Sequence, residues 1–347
     1  MKVIKNSNNW CVGQRRMQQI YGSSFIIVFL SLFYSSQSFA QKEYLDEVLK
    51  IVEEHSIMKD SIDLNRIRNE AYSRLGDNKS VEGCYPIIKF ILSEIKDRHS
   101  FFMDKNQVEK WKSPSNPAKA NKAKPTSFSG KMLNDNIGYI HMFGFSSGDS
   151  ISLLEYANDL QALIKSLDNK KIKGWILDLR ENAGGNCWPM LAGLGPLLGN
   201  GTAGYFIDNN RNKSGWYYKD GTAGVNSTGM CRVSNLPYKL LKADNRVAVL
   251  TGKRTASSGE LIVTSFRGKS NSKSFGEETA GLTTGNYNYT LSDGSMLVLT
   301  TSVYADRRQK VFGGTMVPDD LIEFDYSELN TTNDSVIKLA SEWICKK

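Results

Sequence analysis

Leu45, Val48, Leu49 and Val52 recur at the spacing of one helical face and predict an amphipathic helix at the head of residues 43–97. A moderately periodic stretch near Asn65–Leu75 predicts a second helix. Tyr85, Ile88, Ile91, Leu92 and Ile95 place a third between Val81 and Ile95. Residues 104–136 break this texture with Pro114, Pro117, Pro125 and several lysines, and read as a linker or loop. From Ile137 strands and helices alternate. Strands are expected at Ile137–Phe143, Gly174–Leu179, Arg246–Thr251, near Ser274, at Tyr287–Leu291 and at Met296–Thr301. Helices are expected at Leu153–Leu167, Trp188–Leu198, Glu260–Arg267 and Asp334–Ile344. Residues 200–235, rich in Gly, Asn and Tyr, read as an irregular excursion. The alternation predicts an α/β fold with a mainly parallel sheet covered by helices.

The N-terminus reads as an address. A basic, acid-free stretch precedes the apolar run Phe25–Tyr34, and Ser38-Phe39-Ala40 offers a small-x-small cleavage site. Cleavage after Ala40, with a periplasmic or secreted product and no stable membrane insertion afterwards, is the expectation. An uncleaved anchor, a start at Met17 and a twin-arginine reading of Arg15-Arg16 stay open. The segment layout is then 1–40 signal, 41–103 helical subdomain, 104–136 linker and 137–347 α/β core.

The formal net charge of +8 falls once Lys2, Lys5, Arg15 and Arg16 leave with the signal, because 40 basic residues then face 36 acidic ones. That dispersed balance argues against a nucleic-acid partner, and the run Lys119–Lys124 reads as solvated linker. In an oxidising compartment Cys84, Cys187, Cys231 and Cys345 could pair, with Cys187–Cys231 favoured and free buried thiols the alternative. No spacing suggests zinc, and no cofactor is expected. Oligomeric state is not readable.

Two strand–turn–helix steps carry candidate chemistry. Val247–Thr251 runs through Thr255-Ala256-Ser257-Ser258-Gly259-Glu260 into a helix, which exposes a serine at the carboxyl end of the sheet. Following amides at a helix N-terminus can stabilise an oxyanion. An ordinary helix cap accounts for the same residues. Ile176–Gly185 repeats the layout with a Gly184-Gly185 pair, where Asp178 and Arg180 could brace the turn. No nucleotide-binding glycine pattern is present. The histidines are His55, His99 and His141. His99 lies in a polar turn after the third helix and is the candidate base. His141 reads as structural and His55 as a surface residue.

Taken together, Ile176–Gly185, Thr255–Glu260, Gly276–Gly281, Leu291–Ser295, Val317-Pro318-Asp319 and Asp97-Arg98-His99-Ser100 resemble the tail-specific (C-terminal processing) protease and tricorn-core family of serine peptidases. The resemblance covers roughly residues 43–325. It implies a crotonase/ClpP-like core, Ser257 rather than Ser258 as nucleophile, and oxyanion donors from Gly184-Gly185 and the Ser258 amide. Two departures stand out. Leu282 occupies the position of the family's lysine base, which moves the resemblance to a Ser–His branch with His99 as base. The interval from His99 to Ile137 is too short for a PDZ domain. The group orienting His99 stays open among Asp97, Glu278 and Asp306, while Glu260 could cap the helix or brace the loop. The expected function is an exported serine peptidase acting on a peptide or protein substrate. A non-catalytic apolar-ligand or peptide-binding protein on the same fold is the alternative, and a small-ester esterase a weaker one.

Overall fold

A computed structural model describes residues 41–76, 80–113, 127–234 and 236–346. The signal segment, the Lys119–Lys124 run and the linker prolines lie outside the described residues.

The helical face read from the sequence forms. Helices α1 (41–55), α2 (Leu64–Leu75) and α3 (Tyr85–Ile95) bury Leu45, Val48, Leu49, Val52, Ile67, Ile88 and Ile91 in one cluster. Asp63 caps α2 by accepting from the Arg66 amide. After α3 come strand β1 (Phe101–Met103) and helix α4 (Lys105–Lys112), which starts on a capping box between Asp104 and Gln107. Helix α4 and strand β2 (Phe128–Leu133) both fall in the stretch expected to be linker. The composition of that stretch had hidden a short, well-capped helix.

The core continues with β3 (Ile137–Met142), α5 (Ser150–Leu167), β4 (Gly174–Asp178), α6 (Cys187–Gly193) and α7 (Gly195–Leu198). Residues 201–232 are not irregular. They form the antiparallel strands β5 (Gly201–Asp208), β6 (Lys213–Lys219), β7 (Thr222–Val225) and β8 (Thr228–Arg232). Glycine misled the sequence reading here, because it marks close approach rather than a break. A Cβ on Gly204 would meet Trp216 Cζ2 at 2.2 Å, so the indole packs on bare backbone. Then follow β9 (Arg246–Thr251), α8 (Ser258–Phe266), β10 (Ser272–Gly276), β11 (Thr284–Thr290), β12 (Met296–Asp306), β13 (Val311–Phe312), β14 (Asp320–Leu321) and α9 (Ser335–Cys345).

The expected mainly parallel sheet is one of two. Its order is β14-β10-β9-β4-β3-β2, parallel throughout except for β2. The second is antiparallel and centred on β12, which pairs with β1, β5, β11 and β13. Helices α5, α6 and α8 fill the space between the sheets, where Leu160, Leu191 and Ile262 meet Leu177, Val249 and Trp216. Helix α9 covers the other face of the parallel sheet through Val336, Ala340 and Ile344. The helical subdomain docks on Leu291, Leu297 and Leu299 of the antiparallel sheet. The fold is mixed α/β with an N-terminal helical region, as expected.

All four described cysteines are free, so the favoured Cys187–Cys231 bridge is not formed. The two thiols face different neighbours: Cys187 lies beside Ser258, and Cys231 points at the Leu153 carbonyl.

A fully buried Arg180 ties α9 to the sheet. Its guanidinium donates to Asp178 at 3.0 and 2.6 Å and to Asp334 at 3.0 and 2.7 Å. Burial pushes the Asp334 carboxyl up, but the Arg180 guanidinium outweighs it and holds the group below the ordinary range. Removing Asp334 leaves Arg180 paired with Asp178, but takes away two charge-assisted hydrogen bonds and the acceptor of the Asn330 and Ile337 amides. Asp334→Ala is therefore expected to cost about 2–3 kcal/mol, read from urea unfolding. A loss within about 0.5 kcal/mol, as at an ordinary surface site, would refute this.

Candidate active site

Strand β9 ends at Thr251, and the chain turns through six residues before α8 begins at Ser258. Thr255 fixes the turn by donating its hydroxyl to Leu179 O at 2.8 Å and accepting from the Gly252 amide. The Ala256 amide bonds Asn182 O at 3.0 Å. Ser257 follows with φ +51° and ψ −115°. A side chain at positive φ costs about 1–2 kcal/mol. Such strain persists only where the surroundings over-determine it. Here they do: the Ser257 amide donates to Glu260 Oε2 at 2.8 Å, and Ser257 O accepts from Leu261 at 2.9 Å.

The base candidate arrives from the other side. Lys96 and Arg98 take left-handed φ values of 61° and 58°, which turn the chain sharply after α3. Asp97 holds that turn by accepting from the amides of His99 (2.9 Å) and Ser100 (2.8 Å). Asn286 Nδ2 donates to His99 O at 3.0 Å, and Ser100 Oγ accepts from Thr300 N. The imidazole is thereby presented to Ser257, with Nε2 2.9 Å from Oγ. Burial lowers the His99 pKa below its ordinary 6.5, opposed by the charge of Asp97. The ring is neutral near pH 7.

Among the described residues, no carboxylate touches the other ring nitrogen. His99 Nδ1 lies 2.7 Å from Thr284 Oγ1, at the first residue of β11. Asp97 is spent on backbone amides and Ser100. Glu278 is exposed, and Asp306 accepts from Arg308 and Lys310 in its own turn. Sequence reasoning missed Thr284 because a threonine opening a strand looks like a β-former. The one available signal was the absent lysine at Leu282, which left Thr283 and Thr284 as the next polar groups.

The turn after β4 meets Ser257 directly. Gly184 and Gly185 have φ of +99° and +115°, and a Cβ on Gly184 would lie 2.8 Å from Ser257 Cβ. The Gly184 amide is bonded to Asn182 Oδ1 at 3.0 Å, so it is not a free donor as expected. The Gly185 and Ser258 amides find no acceptor among the described residues. Ser258 Oγ donates to Gly185 O at 2.6 Å and locks the two loops together. Glu260 completes the frame. Beyond Ser257 it accepts from the amides of Gly281 (2.9 Å) and Leu282 (2.8 Å) and from the Thr279 hydroxyl (2.5 Å). Its burial raises the pKa, offset in part by those bonds. It is a brace, outside reach of the histidine.

The remaining histidines sit apart. His55 is exposed and stacks on Tyr289 at 5.2 Å. His141 is buried in β3, with Nε2 3.3 Å from Glu181. A hydroxyl, a neutral imidazole and two free amides meeting at the carboxyl ends of β4 and β9 are the parts needed for acyl transfer.

The model for peptidase family S41 matches residues 136–322, more than half of the 347 residues. The chain belongs to this family. Its sequence is 27% identical over 303 residues to the nisin-resistance protein of Lactococcus lactis subsp. lactis, covering 87% of this chain and 86% of that one. It is 30% identical over 172 residues to the carboxy-terminal processing protease CtpA of Bacillus subtilis, covering 50% of this chain and 32% of CtpA. A solved lipoprotein from Streptococcus agalactiae superposes with a TM-score of 0.68 at 25% identity, over 88% of this chain and 96% of that one. The resemblance read from the motifs is borne out at the level of the S41 peptidases.

Replacing Glu260 by alanine strands three amides and a hydroxyl. Each buried donor left unpaired costs about 1–3 kcal/mol before water enters. Glu260→Ala is expected to lose at least about 2 kcal/mol in urea unfolding, with Glu260→Gln losing less. Wild-type stability in Glu260→Ala would mean the loop is held by something else.

Proposed function

We propose that this S41 family member is an exported serine peptidase that cleaves peptide bonds through an acyl-enzyme on Ser257. The observation that carries the reading is the 2.9 Å contact between His99 Nε2 and the hydroxyl of a strained Ser257. In the proposed reaction His99 takes the Ser257 proton as Oγ attacks the substrate carbonyl. The Gly185 and Ser258 amides receive the developing oxyanion, a contribution of about 10²–10³ per donor in rate. The imidazolium then returns its proton to the leaving amine, and water admitted in its place is activated the same way. Thr284 accepts from Nδ1–H, which keeps Nε2 free as the proton acceptor. Asp97 adds attraction for the imidazolium at longer range.

Export is part of the same proposal. It rests on the N-terminal layout of basic stretch, apolar run and Ala40 site, and is supported by similarity to proteins named for nisin resistance and as a lipoprotein. No helix among the described residues is long and apolar enough to cross a membrane. Substrates are peptides or proteins, and nisin belongs in any test panel because a relative carries its name.

A fluorophosphonate probe tests the nucleophile. Labelling is expected to vanish in Ser257→Ala and to persist, more slowly, in Ser258→Ala. The reverse pattern sinks the assignment. No labelling at all, with peptide binding retained, would favour the non-catalytic binding protein.

The pH profile tests the base. Because burial lowers the His99 pKa, the acid limb of kcat/KM is expected below the ordinary histidine value of 6.5. Thr284→Val is expected to lower kcat about tenfold with KM nearly unchanged, and Thr284→Ser to restore it. An acid limb above 6.5 contradicts the buried neutral imidazole. A Thr284→Val enzyme with wild-type kcat removes the threonine from the site.

A further inference from the structure

Helix α8 runs nine residues away from Ser257, about 13 Å at the helical rise. At its far end the connection to β10 meets the turn between β12 and β13. The sequence concentrates cations there: Arg267 and Lys269 on one side, Arg307, Arg308 and Lys310 on the other. They cross at Gly268. A Cβ there would lie 3.1 Å from Arg307 Cγ and 3.2 Å from Arg308 Cγ, so both arginine stems lie against bare backbone.

These cations outnumber their partners. Arg267 pairs with Asp319 through Nη1, although its Nε is buried without a partner, and Lys273 pairs with Asp320. The Asp306 carboxylate accepts from the amides of Arg308 and Lys310. Arg307 Nη2 donates to Ser265 O at 2.6 Å, but its Nε is buried without a partner. No side-chain acceptor faces the Lys269 ammonium or the Arg308 guanidinium within bonding distance among the described residues, and Asp244 acts on Lys269 only at longer range. Burial first, and then Arg307, push the Lys269 pKa down, the signature of a cation held where it lacks a counter-charge. Lys269, Arg308 and Lys310 border a crevice of about 580 Å³ whose walls include Trp343 and Phe312, together with Asp306 and Asp319, whose carboxylates are engaged by the Arg308 and Lys310 amides and by Arg267 and Ser274.

We propose that this crevice binds a phosphate-type anion, with Lys269 and Arg308 as its principal ligands. Several cationic donors converging from two loops suit a tetrahedral oxyanion, which accepts charge-assisted hydrogen bonds from several directions at once. The site lies a helix length from the catalytic residues, so it is a second site on the protein, independent of the peptidase reading. Free phosphate and the phosphate of an anionic lipid headgroup present the same chemistry, and the test separates them.

In one arm, inorganic phosphate is titrated into the purified protein by calorimetry. In the other, the protein is sedimented with phosphatidylglycerol or phosphatidylcholine vesicles. Saturable phosphate binding, or a preference for the anionic vesicles, is expected in at least one arm. The double variant Lys269→Gln, Arg308→Gln is expected to weaken it about tenfold or more. A response in the first arm identifies a soluble phosphate ligand, and a response in the second alone identifies a lipid headgroup. The single variants Lys269→Gln and Arg308→Gln serve if the double variant melts early. Absence of binding in both arms, or binding that the variants retain, overturns the proposal.

Discussion

The arrangement around Ser257 depends on one buried carboxylate. Glu260 sits a helical turn past Ser257 and gathers four donors: the Ser257 amide, the Gly281 and Leu282 amides and the Thr279 hydroxyl. Two chain segments are thereby held at fixed spacing, with the Ala280 amide on Thr255 O beside them. One carries Ser257. The other runs directly into Thr284, which touches the far side of His99. Burying a carboxylate is costly unless hydrogen bonds replace its water shell. Here amide and hydroxyl donors do that, and no cation is needed.

The site is built from three bodies with different roles. The parallel sheet supplies the two turns at its carboxyl edge, the usual place for chemistry in such sheets. The antiparallel sheet, through β11 and β12, supplies Thr284 and the Asn286 anchor. The helical subdomain supplies His99, and its docking on Leu291, Leu297 and Leu299 is what brings the imidazole within bonding distance. Apolar burial between subdomain and sheet is thus converted into a hydrogen bond of defined geometry.

Much of this was legible in the sequence, for identifiable reasons. Long periodic faces such as Leu45–Val52 and short buried strands such as Val247–Thr251 announce themselves, because burial on one or both faces imposes a pattern. Ser257, His99 and Glu260 stood in motifs whose order was informative. The antiparallel meander at 201–232 was not legible, since its glycines serve ring packing and its strands are half exposed. Thr284 was not legible either. Its partner is 185 residues away, and nothing local distinguishes a hydroxyl that meets an imidazole from one that faces water. The Gly184 amide had looked free because only the fold shows Asn182 folding back on it.

The separation of His99 and Ser257 along the chain has a further consequence. His99 and Ser257 lie 158 residues apart along the chain. A contact of such long range forms late, because the entropy of closing the intervening loop is recovered only when the surrounding structure is complete. A partly folded or locally opened chain therefore exposes a serine with no proton acceptor beside it. On the proposed reading, hydrolytic competence belongs to the finished molecule alone.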